Sequence, residues 1–259
     1  YADVKKTYKK NKSIFDINSN IIRDEGSELS KEQKIWKRAK QIIPGGNMLF
    51  SKRPERFLPG FWPTYFNKAK GVNIWTLSGK KYIDMSLMGV GTNILGYSNS
   101  KINTQVLSAI KKGNISTLNS YEEVKLAEKL IEMHPWFDMA RFTRSGGEAN
   151  AVAIRIARAF TQKDGVAICG YHGWHDWYLA ANLKKKSGLD QHLLSDLNIS
   201  GVPKNLKSTV YPFKFNDYEH LIKIITKYKN IGTVKMEVYR NVPPNRNFLQ
   251  KVRNLCNRK

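Results

Sequence analysis

From residue 139 onward, apolar strand-like runs alternate with stretches of helical spacing, and this alternation constrains the fold more than any other feature. Residues 139–143, 166–169, 209–213 and 233–238 read as strands, while 148–161, 217–228 and 247–257 carry apolar residues at helical intervals. The pattern predicts βαβ crossovers and a largely parallel sheet, an α/β architecture whose ligands meet the carboxyl ends of the strands.

The earlier part of the chain follows a different pattern. The first 25 or so residues are polar and weakly periodic and are expected to form a loose arm. Ser30 with Gln33 resembles a capping box, and Ile35, Ala39 and Ile42 would share one helical face until Pro44-Gly45-Gly46 ends it. Residues 65–66, 72–77 and 81–85 read as short strands, the last two joined by a turn at Ser78-Gly79. A Gly-rich stretch at 88–96 then leads to two helices, one stopped by Gly113 and one capped by Ser120 with Glu123. The expected organisation is an N-terminal segment, 1–85, with an arm, a helix and a small antiparallel element, and a large α/β domain over 86–259.

Composition narrows the function classes. At 259 residues the chain has length for one or two domains, at roughly 150 residues each. No run of about 18 apolar residues is present to span a bilayer, so no membrane association is expected. Two cysteines, Cys169 and Cys256, make no disulfide framework, and with no apolar leader at Tyr1 a reducing, cytoplasmic setting is the default expectation. The formal charge of +23 is also the footprint of a nucleic-acid binder. The lysines are scattered, however, and their small clusters at positions 5–12 and 184–186 belong to no nucleic-acid motif. A solvated Lys-rich surface is the preferred reading, and nucleic acid is not the expected partner.

Three motifs can carry chemistry. In Arg141-Phe142-Thr143-Arg144-Ser145-Gly146-Gly147-Glu148-Ala149 an apolar run passes through a glycine turn into a helix, with Ala149, Val152, Ala153, Ile156, Ala157 and Phe160 as its expected buried stripe. Adjacent glycines let the backbone approach an anion, and free amides with the helix dipole would favour a phosphate there; a Ser145–Glu148 capping box in a tight turn is the alternative. Next, Gly170-Tyr171-His172-Gly173-Trp174-His175-Asp176 follows a strand and puts an aromatic face beside the first turn if the strands are neighbours. A flat heteroaromatic ligand could stack on Tyr171, or the aromatics could simply pack a loop. His172, His175 and Asp176 are a weak metal set, and no metal is expected. Third, Glu237 stands among apolar neighbours on a strand, either as a functional carboxylate or in a satisfied core pair.

In this order the motifs resemble class III pyridoxal-phosphate-dependent aminotransferases, most closely the glutamate-1-semialdehyde 2,1-aminomutase branch. The resemblance runs from about Ile42 to the end of the chain. It rests on Pro44-Gly45-Gly46, on Gly71 through Lys80-Lys81-Tyr82-Ile83-Asp84, on Ile94-Leu95-Gly96-Tyr97, and on the segment from Arg141 to Ala149. The Ala153-Ile154-Arg155-Ile156-Ala157-Arg158-Ala159-Phe160-Thr161 run and Tyr171-His172-Gly173 complete it. It implies the fold-type-I transferase architecture, a homodimer with sites at the subunit interface, and pyridoxal 5′-phosphate as cofactor.

Carried over by position, Ser145, Gly146 and Gly147 match the phosphate turn and Tyr171 the residue stacked on the pyridine ring, with His172 beside it. Glu237 matches the glutamate near the cofactor's phenolic oxygen, and Asn241 or Arg240 follows it into the site. Residues 88–93 would line part of the substrate channel. The family's Schiff-base lysine is expected beyond Lys259, so the chain reads as a fragment holding no catalytic residue of its own and inactive by itself. The stretch 47–53 departs from the aminomutase pattern for binding a substrate carboxylate. The first functional expectation is therefore amino transfer to or from a small amino or keto substrate. The aminomutase reaction proper is the alternative; a basic nucleic-acid binder and a non-catalytic relic are remote ones.

Overall fold

The computed structural model describes residues 29–86, 88–184, 188–189, 198–239 and 241–258. The N-terminal arm, the lysines at 185 and 186, and Arg240 lie outside the described residues. Two compact units divide between Asn119 and Ser120.

In the first unit, helix α1 (Lys31–Ile42) opens on the expected capping box: Ser30 Oγ accepts from the Gln33 amide, and the Gln33 side chain accepts from the Ser30 amide. Its buried face carries Glu32, Trp36 and Ala39, whereas Ile42 is exposed. The expected Ile35–Ile42 stripe is displaced because Glu32 is drawn inward by hydrogen bonds from the Ser78 amide and hydroxyl, 3.0 and 2.9 Å. Strands β1 (Phe66–Lys70), β2 (Asn73–Thr76) and β3 (Lys81–Ile83) form an antiparallel sheet in sequence order, as the turn residues imply. Tyr97 is tied to this sheet twice, by backbone pairing with Gly71 and by its hydroxyl, which donates to Asp84 Oδ2 at 2.5 Å. Helix α2 (Ser100–Lys112) starts on Asn99, whose side chain caps two amides, and stops at Gly113.

The second unit begins with α3 (Tyr121–Met133). Ser120 does not make the expected box with Glu123; its hydroxyl donates to Glu122 instead. Helix α4 (Gly146–Thr161) leads through Gln162, in the left-handed conformation, into β4 (Gly165–Cys169). After short helix α5 (Asp176–Leu179), strand β5 (Val210–Pro212), helix α6 (Tyr218–Lys227), strand β6 (Ile231–Met236) and helix α7 (Phe248–Arg258) follow. The sheet order is β5-β4-β6, all parallel.

Strand β4 is buried along its whole length, and its alternation divides the core in two. Ala167 and Cys169 pack with Tyr211, Phe213, Leu221 and the α7 residues Phe248, Val252 and Leu255. Val166 and Ile168 face the opposite side, with Ile154 of α4, Trp177, Tyr178 and Leu189.

Two further sequence expectations are corrected in the second unit. Residues 139–143 are not a strand: they pair with no strand among the described residues, and Met139 is 85% exposed. An apolar run becomes a strand only where a neighbouring edge takes up its backbone hydrogen bonds. Helix α4 buries Ile154, whereas Ile156 and Phe160 of the expected stripe are 59% and 89% exposed. The helix is apolar on more than one face, so periodicity admits two orientations. The short return to β4, with Arg158 Nε donating to the Asp164 carbonyl at 2.9 Å, selects the face bearing Ala151, Ile154 and Arg158.

Candidate active site

The three motifs converge at the carboxyl ends of the parallel strands. Glu237, directly after β6, extends the ladder by donating its amide to the Cys169 carbonyl at 3.1 Å. Its side chain turns across the end of β4, where Oε1 accepts from the Tyr171 amide at 3.3 Å. The crossing requires glycine at 170: its φ is +102°, and a Cβ there would lie 2.6 Å from Glu237 Cδ. Tyr178, fully buried, donates its hydroxyl to the Gly170 carbonyl at 2.9 Å and holds this turn from below.

Tyr171 is half-buried, with its ring edge-on to Tyr178 at 6.0 Å, and burial pushes its phenol pKa up. His172 has a different environment. It is 4% exposed, its Nε2 is 3.0 Å from the Cys169 carbonyl, and it stacks on Trp177 at 6.4 Å. The imidazole is thus part of the inner aromatic cluster that shapes the loop bearing Tyr171.

At the start of α4, Ser145 Oγ accepts from the Glu148 amide at 3.3 Å. The Glu148 carboxylate accepts from the Arg144 amide, not from Ser145, so only half of a capping box forms. Gly146 and Gly147 are the first two helical residues, and their amides have no acceptor within the helix. No heavy atom lies within 4 Å of a Cβ built on Gly146. The aromatic loop reaches this turn directly: a Cβ on Gly173 would sit 3.4 Å from Gly147 Cα, and one on Gly147 would sit 2.8 Å from His175 Nε2.

The structure therefore joins Gly147 to the aromatic loop and that loop to Glu237, while Asn241 lies exposed on the segment after β6. Sequence reasoning considered His175 only as a weak metal ligand and missed its place against the turn. The available signal was a second glycine in the first turn of a helix, where a side chain from elsewhere can enter. Among the described residues no group of three or more His, Cys, Asp or Glu is arranged to hold a metal ion, and no helix is long and apolar enough to cross a membrane.

A glycine-lined helix start, an aromatic face and a carboxylate at strand ends suit a planar, phosphate-bearing ligand. Comparison with known proteins agrees with this chemistry. Residues 60–259 match the family model for class-III aminotransferases. The chain is 33% identical over 204 residues to a 3-aminobutyryl-CoA aminotransferase of Cloacimonas acidaminovorans, covering 78% of this chain and 45% of that protein. It is 34% identical over 234 residues to a glutamate-1-semialdehyde 2,1-aminomutase of Wigglesworthia glossinidia brevipalpis, covering 87% and 52% respectively. Among solved structures, an omega-transaminase from Sphaerobacter thermophilus superposes with a TM-score of 0.76 at 25% identity, over 92% of this chain and 54% of that one. The chain spans about half the length of the curated relatives it matches. On the family match over 60–259, this chain belongs to the class-III aminotransferases.

Proposed function

We propose that the complete protein is a pyridoxal-phosphate-dependent aminotransferase acting on a small amino or keto substrate, and that this chain supplies most of its cofactor cradle. The observation that carries the reading is the Glu237 carboxylate laid over Gly170 and bonded to the Tyr171 amide, beside the α4 glycine turn. The residues fit the cofactor's chemistry. The free amides of Gly146 and Gly147, with the α4 dipole behind them, suit a phosphate dianion and are worth about 0.3 to 2 kcal/mol to it. The exposed part of the Tyr171 ring offers a face for a pyridine ring, and Glu237 offers an acceptor near the ring's phenolic oxygen. Ser145 and His172 hold the two loops in place, and Asn241 stands on the segment leading away from the site. When bound, the cofactor supplies an electron sink for charge developing at the substrate α-carbon.

Intramolecular amino transfer, as in the aminomutase relatives, is the second reading, and the identity to such a relative over most of the chain favours it. We also propose a homodimer in a cytoplasmic setting. The exposed apolar residues Ile156, Phe160, Ile102 and Val106 support assembly, and the two free cysteines are compatible with a reducing compartment. Light scattering by a species of twice the chain mass is the expected result for the dimer.

The cofactor reading is tested by titrating the purified protein with pyridoxal phosphate while following cofactor absorbance. Saturable binding is expected, weakened about tenfold or more in Gly147→Val, which crowds the turn. No binding by the wild type overturns the reading, and unchanged affinity in the variant removes the phosphate from this turn.

A further inference from the structure

The place a side chain would take at position 147 is filled from another element. All three heavy atoms nearest a Cβ built on Gly147 belong to the His175 ring: Nε2 at 2.8 Å, Cδ2 at 3.1 Å and Cε1 at 3.7 Å. His175 precedes α5 as its N-cap residue, yet its side chain makes no capping hydrogen bond. Among the described residues, no group is hydrogen-bonded to either of its ring nitrogens. Its ring leans on Trp174, with centroids 4.8 Å apart and planes at 53°. The close approach of Gly173 to Gly147 brings the loop near enough for the imidazole to enter.

An imidazole in this position sets its Nε2 beside Gly147, the second residue of the α4 N-terminus. Two backbone donors and the positive end of the α4 dipole already favour an anion there. A ring N–H adds a directional donor that a glycine turn lacks.

We propose that His175 is a further phosphate-binding residue of this site, supplying from the aromatic loop the side-chain donor that Gly147 cannot. The proposal rests on the cofactor reading above. The ligand it serves is the phosphate monoester of the cofactor, not its pyridine ring. His175 touches the ligand at a point remote from the reacting carbon, so it binds and positions and takes no proton in the reaction.

The test compares pyridoxal phosphate with pyridoxal, which lacks the phosphate, on wild type, His175→Ala and His175→Gln. Hydrogen bonds to charged groups predict that His175→Ala weakens pyridoxal phosphate about tenfold or more, while pyridoxal affinity stays within about twofold. His175→Gln keeps a neutral donor and is expected to retain most of the binding. The ³¹P resonance of bound cofactor should also move in His175→Ala, a change that a merely structural role would not produce. Wild-type affinity in His175→Ala, or equal losses for the two ligands, overturns the proposal while the cofactor reading stands. If wild type itself binds no pyridoxal phosphate, the cofactor reading fails and this proposal with it. Thermal unfolding of each variant checks that the comparison is made between folded proteins.

Discussion

The Glu237 carboxylate lies against the backbone of Gly170, so close that a single Cβ at position 170 would stand 2.6 Å from its Cδ. This contact couples the ends of strands β4 and β6 and aims the carboxylate at the Tyr171 amide. Gly170→Ala must meet both the contact and the φ of +102°. Left-handed strain alone costs about 1 to 3 kcal/mol, and displacement of Glu237 adds to it. Urea denaturation is expected to show a loss of at least about 2 kcal/mol, together with weaker cofactor binding. An unchanged midpoint would mean that the carboxylate does not rest on this turn.

Adjacent residues Tyr171 and His172 should separate cleanly in their effects. His172 is buried, hydrogen-bonded to the Cys169 carbonyl and stacked on Trp177, so His172→Ala is expected to destabilise by about 2 to 4 kcal/mol. Tyr171→Leu keeps apolar bulk but removes the stacking face; it should lower pyridoxal phosphate affinity about threefold to tenfold with a smaller stability change. Paired denaturation and cofactor titrations of the two variants check this division.

The orientation of α4 gives a third prediction. Ile154 is 2% exposed and packs against β4, while Ile156, two positions on, is 59% exposed. Ile154→Ala is expected to cost about 2 to 4 kcal/mol, and Ile156→Ala less than about 0.5 kcal/mol in the monomeric chain. The opposite ranking in chemical denaturation would show the helix turned to its other face.

Acid stability should depend on Glu32 in the N-terminal unit. Burial pushes its carboxyl pKa up, but hydrogen bonds from its own backbone, from Ser78 and from Thr76 outweigh this and bring it from 4.5 down to about 2. A folded value below the unfolded one means that this contribution is complete above about pH 4.5 and is lost as pH falls toward 2. Glu32→Gln should therefore be less stable at neutral pH and show a flatter decline between those limits. Stability measured across that range by fluorescence would reveal an unaltered slope if Glu32 were not held as described.

Much of this molecule is written locally. Ser30 and Gln33 close their box and Asn99 and Gly113 bound α2 because each signal needs only its neighbours in the chain, and the alternation after residue 165 announces the strands that pair into a parallel sheet. The Ser145-Gly146-Gly147 turn, Tyr171 and Glu237 were legible for the same reason: a helix start, a strand end and an isolated carboxylate are visible without a partner. Tertiary structure decided which surfaces meet. Residues 139–143 have the composition of a strand but no edge to pair with among the described residues, and α4 has two apolar faces of which packing selects the one bearing Ile154. The same holds within the site. Whether Glu237 could cross the end of β4, and whether His175 reached Gly147, depended on glycines at 147, 170 and 173 admitting close approaches between distant segments. Periodicity records what one stretch of chain prefers; an approach between two stretches so close that it leaves no room for a Cβ exists only once both are placed.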